Sequence, residues 1–366
     1  IQADLDYLKS VTTGDVGIAS RTQDDKHWIV SYLQDVGGVQ YYGYDRTAKK
    51  AAFMFSARKS LEGLPLAPMH PVVIKSRDGL DLVSYLTLPS ASDSDKNARP
   101  EQPLPMILNV HGGPWARDEW GYRGEVQWQA NRGYAVLQVN YRGSTGFGKD
   151  FVNKADREWG GKMHDDLIDA VNWAIKEKIA DPKRIAIYGG SYGGYATLVG
   201  MTFTPDVFAC GVDIVGISNL NTFAGKIPQH WKPFLEQMKR RIGDFTTDEG
   251  RSFLASRSPV NFVQNMKKPL LVGQGKNDPR VNHDESQQMV NGLKAKKIPV
   301  TYVLFPDEGH VFARPQNRMA FYAVSEAFLA EHLGGSYEPI NDDFKNSSIT
   351  VPDGKEFVPG LGEAIK

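Results

Sequence analysis

The chain has 366 residues, of which 41% are apolar and 23% are charged, and 43 Lys and Arg residues balance 43 Asp and Glu residues. This length is ample for a full core, and without a basic excess or a long charged run nothing directs the chain to nucleic acid or to an anionic membrane. No apolar run reaches 18 residues, so neither a transmembrane helix nor a signal sequence is predicted. The composition therefore favours a neutral small molecule or a peptide as the partner.

Residues 1–65 are predicted to form short β-strands, because four β-branched or aromatic runs alternate with polar or glycine turns, at 16–20, 27–32, 39–44 and 52–55. Four strands in roughly 45 residues match one blade of a β-propeller. One blade cannot bury both of its faces, so we expect this segment to belong to a longer protein. Its unpaired strand edges leave a homo-oligomer open as an interpretation.

Residues 66–335 alternate between apolar strands and helices, the clearest helix being 163–180; the strands are predicted at 71–76, 81–89, 104–110, 134–140, 184–188, 210–215, 269–273 and 300–305. This alternation predicts an α/β fold with a mostly parallel, doubly wound sheet. In such sheets the ligand site lies beyond the carboxyl ends of the strands. Residues 336–366 show little periodicity and are predicted to form an extended tail.

The single cysteine, Cys210, lies in an apolar run and is interpreted as a buried residue. One cysteine excludes an internal disulfide but leaves the compartment open, cytoplasmic or periplasmic. The sequence shows no paired metal-ligand spacing, no dinucleotide fingerprint and no phosphate-binding loop. No metal and no cofactor are therefore predicted.

The strongest motif is GGSYGG at residues 189–194, which follows the predicted strand 184–188 and precedes an apolar helix. This is the G-x-S-x-G elbow of the α/β-hydrolase fold in its strand–turn–helix context, and it predicts Ser191 as a nucleophile. The helix N-terminus below it favours developing negative charge. Ser144 lies in a second glycine-rich loop, but Arg142 occupies the place of the first glycine, so Ser144 is interpreted as a turn residue.

A serine hydroxyl needs a base, and in this fold the base is a histidine on a loop after a late strand. His310 follows the strand 300–305 directly and is the predicted base. His283 and His332 lie at helix ends and are interpreted as surface or capping residues. His230 stays a weaker rival.

The acid that orients the histidine is expected at a strand end between Ser191 and His310. Asp278, in the loop after the strand 269–273, meets this condition. Asp284 is the second choice, and Asp307 is too close to His310 in sequence to be favoured.

Two backbone donors are expected to form an oxyanion hole, each worth about 3 kcal/mol in the barrier. One is Tyr192, directly after the nucleophile. The other is assigned to Gly113 in HGGP at residues 111–114, directly after the strand 104–110. His111 is interpreted as part of this loop and is counted with the substrate-binding residues, although a packed core histidine is the alternative.

Five motifs in this order resemble the prolyl oligopeptidase family of serine peptidases, closest to its acylaminoacyl-peptidase and dipeptidyl-peptidase-like bacterial members; they lie at 111–114, 140–148, 189–195, 277–281 and 307–310. The resemblance covers roughly residues 70–335. It implies that Arg280 reaches the substrate cleft and holds a peptide carbonyl. It also implies an aromatic wall at Trp231, although this match requires a gap and a core tryptophan is an equal alternative.

Members of this family normally carry an N-terminal β-propeller that restricts entry and often supplies the acidic residues that recognise a free peptide amine. Here about one blade precedes the catalytic region. The resemblance therefore implies hydrolysis of peptides through an acyl-enzyme, and the short blade predicts an open cleft with esterase activity on small acyl esters. Two alternatives stay open: a carboxylesterase, and a non-catalytic relative that binds ligands.

Overall fold

A computed structural model of the chain describes residues 1–227 and 229–365, and describes His230 by its backbone alone. In this part of the chain, thirteen strands form two sheets. The smaller sheet is an antiparallel meander of β1 (Asp15–Arg21), β2 (His27–Leu33), β3 (Gln40–Asp45) and β4 (Lys50–Ser56). The four predicted strands of the N-terminal segment correspond to these four.

A helix that the sequence pattern did not indicate, α1 (Gln2–Lys9), precedes the smaller sheet. Tertiary contacts hold it there: the hydroxyl of Tyr32 donates to the carbonyl of Leu8 at 2.7 Å, and the hydroxyl of Tyr44 donates to the carboxylate of Asp4 at 2.8 Å. Arg46 also pairs with Asp4 at 2.9 Å. A helix of eight residues is marginal by its own propensity, so these contacts decide its structure.

The larger sheet has the strand order β13-β12-β11-β10-β9-β7-β8-β6-β5. The five pairings from β8 through β7, β9, β10 and β11 to β12 are parallel, and the outer pairings are antiparallel. The predicted α/β-hydrolase architecture is confirmed. The strands are β5 (Met69–Lys75), β6 (Asp81–Thr87), β7 (Leu104–Val110), β8 (Ala135–Val139), β9 (Ala180–Gly190), β10 (Cys210–Ile214), β11 (Leu270–Gly275), β12 (Val300–Phe305) and β13 (Thr350–Asp353).

Helices cover both faces of this sheet, and the central strands are buried along their length, as strands covered on two sides must be. None of the helices in the described residues combines the length and apolar character needed to cross a membrane. The helices that follow α1 are α2 (Gly124–Asn131), α3 (Lys149–Asn153), α4 (Lys162–Lys176), α5 (Tyr192–Phe203), α6 (Leu220–Gly225), α7 (Leu235–Arg241), α8 (Asp248–Ser256), α9 (Asp284–Ala295), α10 (Pro315–Leu333) and α11 (Leu361–Ala364).

The two most extensive apolar cores of the described residues lie one on each side of the larger sheet. Alternate residues of a strand point to opposite faces, so Ile185 and Ile187 of β9 join the core under α4 and α5, whereas Ala186 and Tyr188 join the core under α10. Cys210 is fully buried in the second of these cores, as interpreted from the sequence.

The predicted helix 163–180 is too long, because α4 ends at Lys176 and Lys178 has a φ of 59°. A positive φ is incompatible with a right-handed helix. The predicted strand 184–188 is too short, because β9 begins at Ala180, where it pairs with Leu104 of β7. Pro182 cannot donate a hydrogen bond to a neighbouring strand and is uncommon inside central strands, so the sequence pattern did not predict a strand at residues 180–183.

Residues 336–366, expected to be an extended tail, contain local structure that packs on the larger sheet. The strand β13 pairs antiparallel with β12, with Leu304 opposite Thr350. Val358 and Leu361 are buried against the core under α10. The tail therefore covers one edge of the sheet, which would otherwise expose unpaired backbone groups.

A buried arginine joins three segments near the carboxyl end of β8. Arg142, 2% exposed, forms a two-pronged ion pair with Asp166 of α4 at 2.6 and 2.8 Å. It forms a second pair with Asp78, at 2.8 and 2.9 Å, in the turn between β5 and β6. The ion pairs hold the pKa of Asp78 well below its usual range.

Replacing Asp166 by Ala should lower the free energy of unfolding by about 3–5 kcal/mol, because the charge of Arg142 would stay buried with only the half-exposed Asp78 beside it. Asp78→Ala is the matched comparison and should cost about 1 kcal/mol or less, since Asp166 keeps its pair. Urea unfolding of the two variants measures the difference. Equal costs would contradict this account of the network.

Candidate active site

The predicted nucleophile lies on a sharp turn between β9 and α5. Ser191 is the residue before the first turn of α5 and has a φ of 61° and a ψ of −116°. Few residues other than glycine adopt such a conformation, and those that do cluster at active sites. The N–H of Ser191 donates to the carbonyl of Ile214 at 2.8 Å, which fixes the turn against the end of β10.

The glycines of the elbow are required by backbone contacts. A Cβ on Gly193 would lie 2.1 Å from the carbonyl oxygen of Val110, and a Cβ on Gly189 would lie 2.6 Å from the carbonyl carbon of Gly193. A Cβ on Gly194 would lie 2.3 Å from the carboxyl oxygen Oδ1 of Asp213. The helix α5 can therefore pack on β7 and β10 only without side chains at these positions.

Three side chains that are distant in sequence meet at the carboxyl edge of the larger sheet. The Nε2 of His310 lies 2.9 Å from Oγ of Ser191, and its Nδ1 lies 2.7 Å from Oδ2 of Asp278. The side chain of Asp278 has no exposed area and that of His310 is 11% exposed. With Nδ1–H donating to the carboxylate, Nε2 presents its lone pair to the serine hydroxyl.

The loop after β11 fixes the orientation of Asp278. Its second oxygen, Oδ1, accepts from the backbone N–H groups of Arg280 at 2.8 Å and Val281 at 2.9 Å. One carboxylate oxygen is thus occupied by the loop and the other is left for the imidazole of His310. The carboxylate cannot rotate without losing at least one of these charge-assisted hydrogen bonds.

The loop after β12, which carries His310, is closed by a buried carboxylate that the sequence analysis did not single out. Glu308, 3% exposed, accepts from the backbone N–H groups of Ala313 and Arg314 at 2.8 and 2.9 Å. The N–H of Asn277 donates to the carbonyl of Glu308 at 2.9 Å, which ties the two loops together. The acid and the histidine are therefore held by one connected backbone unit.

The structure places the rival acids and histidines elsewhere. Asp284 pairs with Lys226, and Asp307 bonds Arg314 and Asn317. His283 precedes α9, and His332 packs on Phe328 in the last turn of α10. The side chain of His230 lies outside the described residues. No group of three His, Cys, Asp or Glu side chains in the described part of the chain is arranged to hold a metal ion.

The two predicted oxyanion donors border the same space as Ser191. Tyr192 is the first residue of α5, so its N–H has no carbonyl within the helix to bond. Gly113 has a φ of 120° and lies with Ser191 and Tyr192 on one cavity wall. The HGGP loop approaches the elbow closely, because a Cβ on Gly112 would lie 2.9 Å from the carbonyl oxygen of Gly190.

The side chain of His111 supports this loop and does not line the cavities beside Ser191. Its ring stacks on Tyr141 with centroids 4.4 Å apart, and its Nε2 lies 2.9 Å from Oγ of Ser144. Burial lowers the pKa of His111 to about 4, so the ring is neutral at pH 7. Ser144 is fully buried, and its hydroxyl donates to the carbonyl of Tyr141 at 2.7 Å. This local hydrogen bond over three residues is typical of a turn.

Two cavities adjoin Ser191 and His310. The first, of about 250 Å³, is named here the indole cavity because it contains three tryptophans; it is lined by Gly113, Trp115, Trp159, Ser191, Tyr192, Ile217, Phe223, Trp231, Met238, Ile242, Arg280, Val281 and His310. Trp231 packs edge to face on Phe223 at 6.4 Å. Arg280 is exposed and has no carboxylate within ion-pair distance in the described residues.

The second cavity, of about 400 Å³, is named the phenyl cavity; it is lined by Glu125, Tyr188, Gly190, Ser191, Ile214, Val215, His310, Val311, Phe312, Ala313, Arg318, Phe321 and Tyr322. Most walls of both cavities come from residues that the sequence analysis did not select. Among these unselected residues, Trp115 could have been predicted to lie near the site, because it directly follows the HGGP loop.

The fold and the Ser–His–Asp arrangement at its carboxyl edge define the chain as an α/β-hydrolase of the serine hydrolase class. Residues 120–336 match the model of the prolyl oligopeptidase family. The chain belongs to this family of serine peptidases.

Relatives and solved structures agree with this assignment. The chain is 59% identical, over all its 366 residues and 53% of the relative, to dipeptidyl aminopeptidase BIII of Pseudoxanthomonas mexicana. It is 43% identical to dipeptidyl peptidase family member 6 of Caenorhabditis elegans, over 95% of this chain and 49% of the relative. A puromycin-hydrolyzing peptidase of Mycobacterium tuberculosis has a similar structure, with a TM-score of 0.74 at 27% identity over 86% of this chain and 47% of that one. The chain spans about half the length of the curated relatives it matches.

A buried carboxyl lies directly under the elbow. Asp213 of β10 has no exposed area, and neither of its oxygens makes a hydrogen bond of ordinary geometry with the described residues. Burial raises the pKa of Asp213 from 3.8 to about 7, and the nearby N–H of Gly216 offsets this only in part. The unfolded chain would release this proton near pH 4, whereas the folded chain keeps it until about pH 7.

The free energy of unfolding should therefore fall as the pH rises between about 4 and 7, by roughly 1.4 kcal/mol per pH unit from this group alone. Asp213→Asn has no proton to release and should lack this part of the slope. Urea unfolding of both chains at pH 5.0 and 6.5 measures the difference. Parallel pH slopes in the two chains would contradict the raised pKa.

Proposed function

We propose that the chain hydrolyses peptides through an acyl-enzyme, with Ser191 as nucleophile, His310 as general base and Asp278 as the group that orients the base. The observation that carries this proposal is the pair of hydrogen bonds of 2.9 and 2.7 Å that connects the three side chains. His310 takes the serine proton as Oγ attacks the carbonyl carbon, and Asp278 stabilises the imidazolium. The same proton then passes to the leaving amine, and water repeats the sequence on the acyl-enzyme.

The backbone N–H groups of Gly113 and Tyr192 are proposed to hold the oxyanion of the tetrahedral intermediate. Both residues border the indole cavity beside Ser191, whose lining includes several aromatic rings. Donors that are fixed before the reaction stabilise the developing charge without reorganising, and one donor is typically worth about 3 kcal/mol.

The indole cavity is proposed to bind the side chain that precedes the scissile bond. Its walls are mostly aromatic or aliphatic, which favours an apolar residue, and they include the contacting rings of Trp231 and Phe223. Arg280 lies at the same cavity with its guanidinium unpaired by any described carboxylate, so it can donate to a peptide carbonyl. His111 is proposed to act on the substrate only through the loop that it supports.

Two relatives, named a dipeptidyl aminopeptidase at 59% identity and a dipeptidyl peptidase family member at 43% identity, favour the removal of dipeptides from a free amino end. Small acyl esters should also react, because an ester uses the same nucleophile and oxyanion donors and has a better leaving group. A carboxylesterase as the main activity is the second candidate. Homo-oligomerisation stays a prediction from the strand edges of the smaller sheet.

A fluorophosphonate probe should label the chain covalently and should fail to label Ser191→Ala, because the probe bonds to an activated serine hydroxyl. Asp278→Asn should label much more slowly, since the histidine would lose its orientation; loss of this carboxylate costs up to about 10⁴-fold in a related triad. Ser144→Ala is the matched control and should still label. Labelling that persists in Ser191→Ala would contradict the assignment.

Turnover of p-nitrophenyl acetate should be compared with that of a dipeptide p-nitroanilide carrying either a free or an acetylated amine. We expect a kcat/KM for the ester at or above that of the anilides, and a preference for the free amine over the acetylated one. A large anilide preference would contradict the esterase proposal. A preference for the acetylated substrate would contradict dipeptide release and favour acylaminoacyl hydrolysis. Ser191→Ala is the control for all three substrates.

A further inference from the structure

The phenyl cavity adjoins the reacting groups, but neither of the proposed oxyanion donors lines it. Of the described residues, Ser191 and His310 line both cavities, whereas Gly113 and Tyr192 line the indole cavity alone. In acyl transfer by this mechanism, the histidine delivers its proton to the leaving amine. Because the indole cavity is proposed to hold the residue before the scissile bond, the leaving amine would face the other cavity that His310 lines, the phenyl cavity.

The walls of the phenyl cavity are mostly apolar. They include two β-branched residues at the end of β10 and four residues from the segment that follows His310: Ile214, Val215, Val311, Phe312, Phe321 and Tyr322. The cavity volume of about 400 Å³ exceeds the 250 Å³ of the indole cavity. Such a space suits one large side chain that is transferred from water.

The carboxyl of Glu125 and the hydroxyl of Tyr188, which both line this cavity, are bonded within the chain. The hydroxyl of Tyr188 donates to Glu125 at 2.9 Å, and the amide of Asn109 donates to the other carboxyl oxygen at 3.3 Å. Burial raises the pKa of Glu125, which disfavours its charged form. Arg318 donates to the carbonyls of Phe312 and Ala313 at 3.4 and 3.3 Å. Most of the remaining wall is apolar, which favours an apolar side chain as the occupant.

We propose that the phenyl cavity is the leaving-group subsite, and that it binds a large apolar or aromatic side chain of the residue after the scissile bond. This inference rests on the proposed function, since it needs the acyl-enzyme at Ser191. With this subsite, the chain would select substrates by the residue after the scissile bond as well as by the residue before it, which the indole cavity is proposed to bind.

Acyl transfer to an added amine tests this directly, because the amine must occupy the place of the leaving group. The amine nitrogen attacks the ester carbon of the acyl-enzyme, the C–N bond forms and the C–O bond to Ser191 breaks. The ammonium proton passes to His310 and then to Oγ of Ser191, so the enzyme is regenerated without any other reactant. Water competes in the same step and gives the free acid.

In the experiment, a p-nitrophenyl ester acylates the chain, and either phenylalanine amide or glycine amide is added as the acceptor amine. The measured quantity is the ratio of the acyl-transfer product to the free acid formed by hydrolysis. We expect phenylalanine amide to be favoured at least about tenfold, as for a side chain that gains an apolar pocket. Equal ratios for the two acceptors would overturn the proposal. A chain that forms no acyl-enzyme, seen as no burst of p-nitrophenol and no fluorophosphonate labelling, would overturn the proposed function and this inference together.

Two variants change the cavity in opposite directions. Ala313→Trp fills it and should bring the two acceptor ratios to within about threefold, whereas Tyr322→Ala widens it and should raise the use of naphthylalanine amide relative to phenylalanine amide. Met319→Trp is the matched control: Met319 is 54% exposed on α10 and does not line the cavity, so the ratios should match those of the unaltered chain. An unchanged preference in both cavity variants would overturn the proposal.

Discussion

The structure depends on direct backbone contact between α5 and the strands beneath it. The carbonyl of Val110 at the end of β7 lies where any side chain on Gly193 would have to be, and Gly189 and Gly194 face similar contacts. Because three neighbouring positions lack a Cβ, the helix begins directly over the sheet and the connection from β9 must turn within one residue. That residue is Ser191, and its positive φ is the consequence.

Position at the carboxyl edge explains how three distant residues meet. β9, β11 and β12 are parallel, so the loops that follow them emerge at one edge of the sheet. The hydrogen bond from Asn277 to the carbonyl of Glu308 then fixes the loop of Asp278 relative to the loop of His310. The strands bring the residues to the same edge, and these loop contacts set the distances of less than 3 Å that proton transfer requires.

Local motifs made the fold and the meeting of Ser191, His310 and Asp278 predictable, because an elbow or a strand-end loop is encoded in a few consecutive residues. The cavities were not predictable in this way. Trp159 lies between α3 and α4, Phe223 lies in α6 and Met238 lies in α7, and no spacing along the chain indicates that they meet. The helix α1 and the first residues of β9 were missed for a similar reason, since contacts with distant residues decide both. Glu308 could have been noticed because it lies two residues before His310. Its hydrogen-bond partners, the N–H groups of Ala313 and Arg314, are set by the fold of the loop and are not indicated by the sequence.

If both subsite proposals hold, the two cavities divide the substrate at the bond that is broken. Gly113 and Tyr192, the proposed oxyanion donors, line only the indole cavity, whereas the segment that follows His310 lines only the phenyl cavity. Since the histidine must face the departing nitrogen, the residues directly after it are well placed to contact the leaving group. The loop that positions the proposed general base would then also contact the side chain of the leaving residue. A substitution of Phe312 or Ala313 would therefore alter the specificity for the leaving residue while Ser191 and Asp278 stay unchanged.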